Sequence, residues 1–330
     1  MDRAHPFESL DPASVLDAVE KSSGHYSDGR LLALNSYENR VYMVGLEQGG
    51  AVVAKFYRPA RWSDEQIQEE HDFAAELHAA DVPIISPMEI DGQTLFHCSG
   101  FRLALYPMRG GRMLEVDDLQ VLRQLGTYIA RIHVVGQCQA RFSYRPHLDI
   151  LKGAAQARDS VLSGEWLPAH LHDAYTSLSR DLLQALEQCV QRAGEVQSIR
   201  LHGDFHPGNV LQTPDGFHLV DLDDARSGPA IQDLWMLLPG EHDERQLYLD
   251  KVLEGYRLFA DFDPRQLHLV EPLRTLRIMR HAAWLAERWD DPAFPRAFPW
   301  FAESRYWEEH LLSLREQLAA LQEPALEARY

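Results

Sequence analysis

The residues best suited to chemistry lie in the stretch His202-Gly203-Asp204-Phe205-His206-Pro207-Gly208-Asn209 and in the later run Leu219-Val220-Asp221-Leu222-Asp223-Asp224. Asn209 follows Asp204 by five residues, and Asp221 closes an apolar run twelve residues beyond Asn209. This order is typical of a phosphoryl-transfer site, in which one carboxylate accepts a proton from the attacking hydroxyl and hard oxygen atoms bind magnesium. We therefore interpret Asp204 as the proton acceptor and Asn209 and Asp221 as magnesium ligands, with Asp223 as the second choice to Asp221.

The elements that must position this stretch change in character along the chain. A helix is predicted at residues 11–23, and short apolar or alternating runs at 31–34, 40–46, 51–57, 93–98 and 101–106 predict a small antiparallel sheet with one main helix, Ser63 to Ala80. Helical patterns then dominate, at 117–135, 170–193, 243–261, 271–289 and 304–321, around a loop and strand island at 200–224. The sequence predicts an α+β fold with an N-terminal lobe over 1–106, a connector over 107–112 and a mostly helical lobe over 113–330.

A candidate for binding phosphate is Lys55, which lies in the apolar run Val52-Val53-Ala54-Lys55. A charge in the middle of a strand is costly unless it has a partner. Glu70 on the following helix is the expected partner, and Glu69 is the alternative. A strand lysine paired with a helix glutamate favours a cation that contacts nucleotide phosphates, whereas a solvated lysine at a strand edge is the competing interpretation.

The loop expected to contact those phosphates lies between the first two strands of this block and reads Asn35-Ser36-Tyr37-Glu38-Asn39-Arg40. It contains no glycine, so it differs from the glycine-rich loops that often surround phosphates. Ser36 and the neighbouring backbone N–H groups still suit an anion-binding turn, although a plain polar hairpin turn is the competing interpretation.

Several other polar residues have mainly structural interpretations. His202 and His206 lack a third soft ligand nearby, so the sequence disfavours zinc, and His202 is expected to shape its loop through hydrogen bonds. Asp233 is expected to cap the next helix or to tie down the loop that carries Asp204. Arg277 belongs to a stretch rich in arginine and tryptophan, which suits either a core or the wall of a substrate groove.

Composition limits the partners and the compartment. The 330-residue chain has a formal net charge of −18, which opposes binding to nucleic acid or to an anionic membrane surface. Its three cysteines are far apart and form no CxxC pair, so a reducing compartment fits best. The pattern of a signal peptide and an apolar run of about 18 residues are both missing. We therefore expect a cytoplasmic protein with neither nucleic-acid nor membrane partners.

These motifs resemble the aminoglycoside phosphotransferase and choline kinase group of the protein-kinase-like superfamily. The resemblance rests on His202-Gly203-Asp204, Asn209 and Val220-Asp221. A closer resemblance, to the stress response kinase A family of bacterial serine/threonine protein kinases, rests on residues 34–42, 55–59, 220–226, 228–230 and 232–237. It covers residues 30 to 240 with specific motifs and extends more loosely to the end.

The resemblance implies a bilobal protein-kinase-like fold, ATP as co-substrate, Mg²⁺ as cofactor and a monomer. It implies the following roles: proton acceptor for Asp204, magnesium ligands for Asn209 and Asp221, phosphate pairing for Lys55, an ATP contact for Ser36, and a hinge at the adenine for Tyr106-Pro107-Met108. The glycine-free loop departs from protein kinases at large but agrees with this closer group. The chain also departs from protein kinases in having no clear activation segment that ends in Ala-Pro-Glu.

Three functional hypotheses follow. The first is an ATP- and magnesium-dependent phosphotransferase that acts on serine and threonine hydroxyls of protein substrates. The second is a kinase for a small alcohol such as an aminoglycoside, choline or homoserine, because one core serves both substrate classes. The third is a pseudokinase that binds nucleotide without turnover, and the joint presence of Lys55, Asp204 and Asp221 argues against it.

Overall fold

The computed structural model describes residues 5–114, 118–139, 141–214 and 216–329. These residues divide into two compact units. The first unit is drawn from Met1–Glu115, Phe142–Arg145 and Pro207–Ala225, and the second from Val116–Arg141, Pro146–His206 and Arg226–Tyr330. The predicted lobes are continuous in sequence, whereas each of these units is assembled from separate segments. The boundaries at 106, 112 and 113 therefore stay a prediction.

Helices and strands are mixed along the described chain. The strands are β1 (Ser27–Leu34), β2 (Arg40–Leu46), β3 (Ala51–Phe56), β4 (Phe96–Cys98), β5 (Phe101–Pro107), β6 (Arg112–Met113), β7 (Ile199–Leu201), β8 (Val210–Thr213), β9 (Gly216–Leu219) and β10 (Arg226–Gly228). The helices are α1 (Pro12–Ser23), α2 (Asp64–Ala79), α3 (Leu119–Gln137), α4 (Ile150–Ser163), α5 (His172–Ala193), α6 (His242–Tyr256), α7 (Val270–Arg288), α8 (Ala293–Ala297) and α9 (Ser304–Ala320). The expected α+β class is confirmed.

The main sheet of the first unit is antiparallel. Among the described residues it has five strands, in the order β1-β2-β3-β5-β4. At its centre, Lys55 of β3 lies opposite Val41 of β2 and Ala104 of β5. Ala54 and Phe56 are fully buried in the apolar core on one face of the sheet. Because side chains alternate along a strand, Lys55 points to the opposite face.

Helix α2 packs on the face of the sheet that carries Lys55. Its buried Ile67 belongs to an apolar cluster with Tyr57, which follows β3. The helix begins with a capping box, in which the Ser63 side chain accepts from the N–H of Gln66 and the Gln66 side chain accepts from the N–H of Ser63. These two local bonds fix the start of the helix at the residue that the sequence predicts.

A second sheet in the first unit has the strand order β6-β8-β9. Strands β8 and β9 form a hairpin in which Val210 lies opposite Leu219. Beyond the paired strands, the N–H of Val220 donates to the carbonyl oxygen of Asn209 at 3.0 Å. The hairpin therefore brings Asn209 next to Val220, which immediately precedes Asp221.

The second unit is mostly helical, and two of its helices cross with their backbones in contact. A Cβ added to Gly126 of α3 would lie 2.0 Å from the carbonyl oxygen of Val252 in α6. A Cβ added to Gly255 of α6 would lie 1.8 Å from the carbonyl oxygen of Arg123 in α3. These two positions must be glycine for the helices to approach so closely.

Helix α3 also supports β7, the strand that precedes the candidate base Asp204. β7 pairs with β10 in an antiparallel arrangement and ends at Leu201, directly before His202. A Cβ added to Gly136 of α3 would lie 2.1 Å from the carbonyl oxygen of Arg200 in β7. Helix α3 therefore packs directly against the backbone of β7 and fixes the start of the loop that carries Asp204.

The predicted helices agree with the described ones apart from their ends and two omissions, α4 and the five-residue α8. Residue 117 of the predicted helix 117–135 lies outside the described residues, and α3 runs over Leu119–Gln137. Helix α4 is missing from the prediction because its buried face includes Ala154 and Ala157, which give a weak apolar signal. Within the described parts of the chain, every helix is too short or too polar to cross a membrane.

Candidate active site

Lys55 lies at the centre of a buried group of charges in the first unit. Its Nζ is 3.0 Å from Asp223 Oδ1, 3.3 Å from Glu70 Oε1 and 3.4 Å from Asp221 Oδ1. The ammonium group also lies 4.9 Å from the centre of the Tyr57 ring, as a cation–π contact. Burial alone would lower the pKa of Lys55, but the three carboxylates outweigh it and raise that pKa well above its ordinary value. Lys55 is therefore a fixed cation at neutral pH.

The two adjacent glutamates of α2 have different partners. Glu70 is buried and contacts both Lys55 and Arg145, whose Nη1 lies 3.3 Å from Glu70 Oε2. Burial raises the pKa of Glu70, and the charges of Lys55 and Arg145 oppose that rise. Glu69 instead accepts hydrogen bonds of 2.6 to 2.9 Å from the backbone N–H groups of residues 143–145. Of the two glutamates proposed from the sequence, Glu70 is the one beside Lys55.

Asp221 and Asp223 differ sharply in exposure. The Asp223 side chain is 5% exposed and pairs with Lys55 and Arg61. Burial would raise the pKa of Asp223, but Lys55, Arg61 and Arg145 hold it well below its ordinary value. The Asp221 side chain is 54% exposed, and its φ of 66° lies in the left-handed region. Asp223 is thus a buried counterion, whereas Asp221 presents an exposed carboxylate, and its role as a metal ligand stays a prediction.

Arg145 is a central residue that the sequence analysis missed. Its side chain is fully buried. Its Nε donates to the carbonyl oxygen of Ala225 at 2.6 Å, its Nη1 donates to that of Gln66 at 3.1 Å, and its Nη2 donates to that of Asp223. The guanidinium also lies 4.5 Å from the centre of the Trp62 ring. Arg145 therefore joins α2 to the segment after β9, and a single arginine in an irregular loop gives no sequence signal for such a role.

The 35–40 loop forms a closed turn between β1 and β2. Ser36 Oγ donates to the carbonyl oxygen of Asn39 at 3.2 Å. The N–H of Arg58 donates to Asn39 Oδ1 at 3.0 Å, and Arg58 Nε donates to the carbonyl oxygen of Glu38 at 2.9 Å. The turn is therefore held from outside by a buried arginine, and the contact of Ser36 with phosphate stays a prediction.

Tyr106 and Met108 lie at the end of β5 and just after it. The Tyr106 hydroxyl is 3.3 Å from that of Tyr57, which is in turn 2.8 Å from His71 Nε2. Burial raises the pKa of Tyr106 well above its ordinary value, so this phenol stays neutral. Met108 is 41% exposed. Their role at the adenine stays a prediction.

Asp204, in the second unit, contacts two basic side chains. Arg277 Nη1 lies 2.6 Å from Asp204 Oδ1, and His206 Nε2 lies 3.3 Å from Oδ2. Burial would raise the pKa of Asp204, but the hydrogen bond from His206 and the charge of Arg277 hold it well below its ordinary value. Asp204 is therefore a carboxylate at neutral pH, as a proton acceptor must be. Arg277 is half exposed and lies next to the candidate base Asp204.

The 202–204 loop is anchored by Asp233. The buried carboxylate of Asp233 accepts from the N–H groups of His202 and Gly203 at 2.9 and 2.8 Å. It also lies 3.1 Å from His133 Nε2 of α3. The prediction that Asp233 ties down this loop is confirmed by these hydrogen bonds. The part played by His133, a buried histidine within an apolar helix face, was not predicted.

Comparisons with known proteins show the family to which this chain belongs. A family model described as "Phosphotransferase enzyme family" matches residues 30–270. "Stress response kinase A" of Salmonella choleraesuis (strain SC-B67) is 40% identical over 326 residues, which cover 99% of this chain and 98% of the relative. "Serine/threonine protein kinase RdoA" of Salmonella typhimurium (strain LT2) shows the same identity and the same coverage. The relative from Escherichia coli O157:H7, also called stress response kinase A, is 41% identical and covers 98% of this chain and 97% of its own.

Solved structures show the same fold at lower sequence identity. The amicoumacin kinase hAmiN, in complex with AMP-PNP, Ca²⁺ and Ami, has a TM-score of 0.72 at 21% identity and matches 95% of each chain. The spectinomycin phosphotransferase APH(9)-Ia, in complex with ADP and spectinomycin, has a TM-score of 0.67 at 15% identity over 94% of this chain and 98% of that one. At these identities the likeness concerns the fold alone. Since the family model spans more than half of the sequence and the curated relatives span nearly all of it, this chain belongs to the phosphotransferase enzyme family.

Proposed function

We propose that this protein is a serine/threonine protein kinase of the stress-response type, which transfers the γ-phosphate of ATP to a protein hydroxyl with the help of magnesium. One geometric observation carries the donor chemistry: Lys55 is a buried, permanently charged cation held by Glu70 beside the exposed carboxylate of Asp221. The protein acceptor is supported by the relative named serine/threonine protein kinase RdoA, at 40% identity over 99% of this chain. The proposal includes a monomer in the cytoplasm.

The donor side uses residues of the first unit. Lys55 pairs with the phosphates of ATP, and Glu70 fixes the position of its ammonium group. Ser36 and the N–H groups of its loop contact the phosphates, while Tyr106 and Met108 contact the adenine. A cation that is already charged and held in place stabilises the transferring phosphoryl group without reorganisation during the reaction.

Magnesium fits the residues at the open end of the β8–β9 hairpin. Asn209 and Asp221 offer an amide and a carboxylate oxygen, and the bond from Val220 to Asn209 holds both positions at that end. Mg²⁺ commonly keeps several waters and takes one or two carboxylates together with substrate phosphates, so a small set of protein ligands is sufficient. When bound, the ion supplies charge neutralisation at the phosphates.

Asp204 orients the acceptor hydroxyl and takes its proton. The hydroxyl oxygen forms a bond to the γ-phosphorus, the bond from that phosphorus to the β–γ bridging oxygen breaks, and ADP leaves. Because the pKa of Asp204 is well below its ordinary value, its affinity for a proton is low. We therefore expect Asp204 to orient the hydroxyl and to accept its proton as bond formation makes the hydroxyl more acidic.

A transfer assay tests the proposal directly. The purified protein is incubated with Mg²⁺ and γ-labelled ATP, alone, with generic protein substrates, and with a panel of small alcohols that includes aminoglycosides and choline. We expect label on protein serine and threonine. Asp204→Ala is expected to lower the rate by at least about 10²-fold, the low end for a positioned acid–base group.

The control is Asp173→Ala, which removes an exposed acid from the first turn of α5 and should leave the rate unchanged. Label on small alcohols alone would contradict the protein acceptor. ATP binding without transfer to any acceptor would contradict an enzyme altogether. A near-normal rate in Asp204→Ala would move the role of proton acceptor to another residue.

A further inference from the structure

The 35–40 loop has no glycine, the residue that would let its backbone fold closely around phosphates. A loop without glycine can still present N–H groups to an anion, and it binds more tightly when its conformation is already fixed. Ordering a flexible loop on binding would reduce the affinity, because conformational entropy is lost. The residues that fix this loop in the absence of ligand are therefore of functional interest.

Arg58 holds the loop from the side of β3. Its side chain is buried. In addition to its bonds with Asn39 and Glu38, its Nη2 donates to the carbonyl oxygen of Tyr37 at 3.3 Å, and its Nε lies 3.2 Å from Glu38 Oε1. These contacts fix the backbone of residues 37–39 and hold the Glu38 carboxylate next to Arg58.

Arg61 connects this carboxylate to the segment that carries the candidate metal ligand. Its Nε lies 3.8 Å from Glu38 Oε1, its Nη2 lies 3.2 Å from Asp224 Oδ1, and its Nη1 donates to Asp223 Oδ2. The Arg61 side chain is only 16% exposed. Burial alone would lower the pKa of Arg61, but the surrounding carboxylates raise it, so the guanidinium is a permanent cation that bridges two loops.

We propose that Arg61 is a positioning residue for ATP: through Glu38 on one side and Asp223 and Asp224 on the other, it ties the 35–40 loop to the 221–224 segment. This tie preorganises a glycine-free phosphate loop next to the segment of the predicted metal ligand. The inference rests on the proposed function for the identity of the ligand. Arg61 acts through the two loops, and contact of its own with the phosphates is not required.

Nucleotide binding to the full-length protein tests this inference. We expect Arg61→Met to weaken the binding of ATP and ADP by about tenfold in calorimetry, which corresponds to about 1.4 kcal/mol. The binding of adenosine, which has no phosphates, should stay at the wild-type value. Arg61→Lys keeps the charge but cannot bridge three carboxylates, so its affinity for ATP should lie between those of the wild type and Arg61→Met.

Two further variants separate positioning from a general loss of structure. Glu38→Gln removes the charge on the loop side of the tie, together with the ion pair between Glu38 and Arg58, but leaves the contacts of Arg61 with Asp223 and Asp224 intact. It should also weaken ATP binding without affecting adenosine. If Glu38 and Arg61 act together, the loss of ATP affinity in the double variant should be smaller than the sum of the two single losses. The control, Arg30→Met, removes an exposed arginine of β1 that pairs with Asp28. It should change neither the affinity for ATP nor that for adenosine.

Three results would overturn the positioning role of Arg61. Wild-type affinity for ATP in both Arg61→Met and Glu38→Gln would overturn the inference, and so would an equal loss of ATP and adenosine binding. Additive losses in the double variant would show that Glu38 and Arg61 act separately and would overturn the tie. If the wild type binds ATP and the variants behave as expected, but no phosphate is transferred to any acceptor, the proposed function fails while the positioning role stands.

Discussion

Asp221 and Asp223 are only two residues apart, yet their replacement by asparagine should have opposite consequences. We expect Asp221→Asn to abolish most magnesium-dependent activity and to leave the fold intact. We expect Asp223→Asn to destabilise the fold. Asparagine is a suitable replacement because it keeps the size of the side chain, and at Asp221 it also tolerates the left-handed φ of 66°.

The exposure of each side chain sets the expected magnitudes. Asp223 is 5% exposed and faces Lys55 and Arg61, which are 8% and 16% exposed. Removal of one partner from a buried ion pair commonly costs about 3–5 kcal/mol, because the remaining charge is left without compensation. Asp221 is 54% exposed, and an ion pair with so exposed a partner contributes about 0–1 kcal/mol. Loss of one charge-stabilising group at the reaction centre lowers turnover by about 10²- to 10³-fold.

Urea denaturation at pH 7 and a magnesium titration of the transfer rate measure the two effects. The control is Asp173→Asn, which replaces an exposed acid in the first turn of α5 and should change both properties little. A normal magnesium response in Asp221→Asn would transfer the ligand role to Asp223. An unfolding midpoint of Asp223→Asn equal to that of the wild type would refute the assignment of this residue as a buried counterion.

Three other predictions concern residues around these charges. Glu70→Gln should lower kcat/KM for ATP by about 10- to 100-fold, as expected for the loss of a charged hydrogen bond. Glu69→Gln should lower it much less. Equal effects of the two substitutions in steady-state kinetics would contradict the pairing of Glu70 with Lys55. Asp233→Asn should reduce the free energy of unfolding by about 1–3 kcal/mol, because asparagine has one acceptor oxygen instead of two and one of the N–H groups of His202 and Gly203 loses its acceptor. An unchanged urea midpoint would refute this anchor. The pKa values of Asp204 and Asp223 are lowered in the folded state, so these carboxylates stabilise the fold above the ordinary carboxylate pKa of about 4. This stabilisation is lost as the pH falls through the folded pKa values. The urea midpoint should therefore be lower at pH 3 than at pH 5, and the difference should be smaller in Asp223→Asn. A midpoint that is flat over this range would contradict the pKa shifts.

The features that the sequence predicted well depend on neighbours in the chain. The start of α2 follows from Ser63 and Gln66, which cap each other across three residues. Lys55 and Glu70 belong to a consecutive strand and helix, so their pairing needs only the correct order of two elements. In each case the information lies within about one supersecondary unit.

The features that the sequence missed depend on distant partners. Arg145 joins Glu70 and the backbone of Asp223, which are separated from it by more than seventy residues. His133 reaches Asp233 across a hundred residues. Neither position shows a periodic or composition signal, because a loop arginine is usually solvated and a histidine on an apolar helix face usually belongs to the core. Only tertiary packing gives these side chains their partners.

The sequence favours Asp221 over Asp223 only because Asp221 closes an apolar run, and it does not show that the two side chains are 54% and 5% exposed. By strand alternation the two side chains would lie on the same face, and either could serve as a ligand. The left-handed backbone at Asp221 breaks this alternation, and the cations Lys55 and Arg61 draw Asp223 inward. The carboxylate of Asp221 is also by far the most exposed of the three that contact Lys55. Under the proposed function, Asp221 can therefore leave Lys55 for a metal ion while Glu70 and Asp223 keep the ammonium group in place.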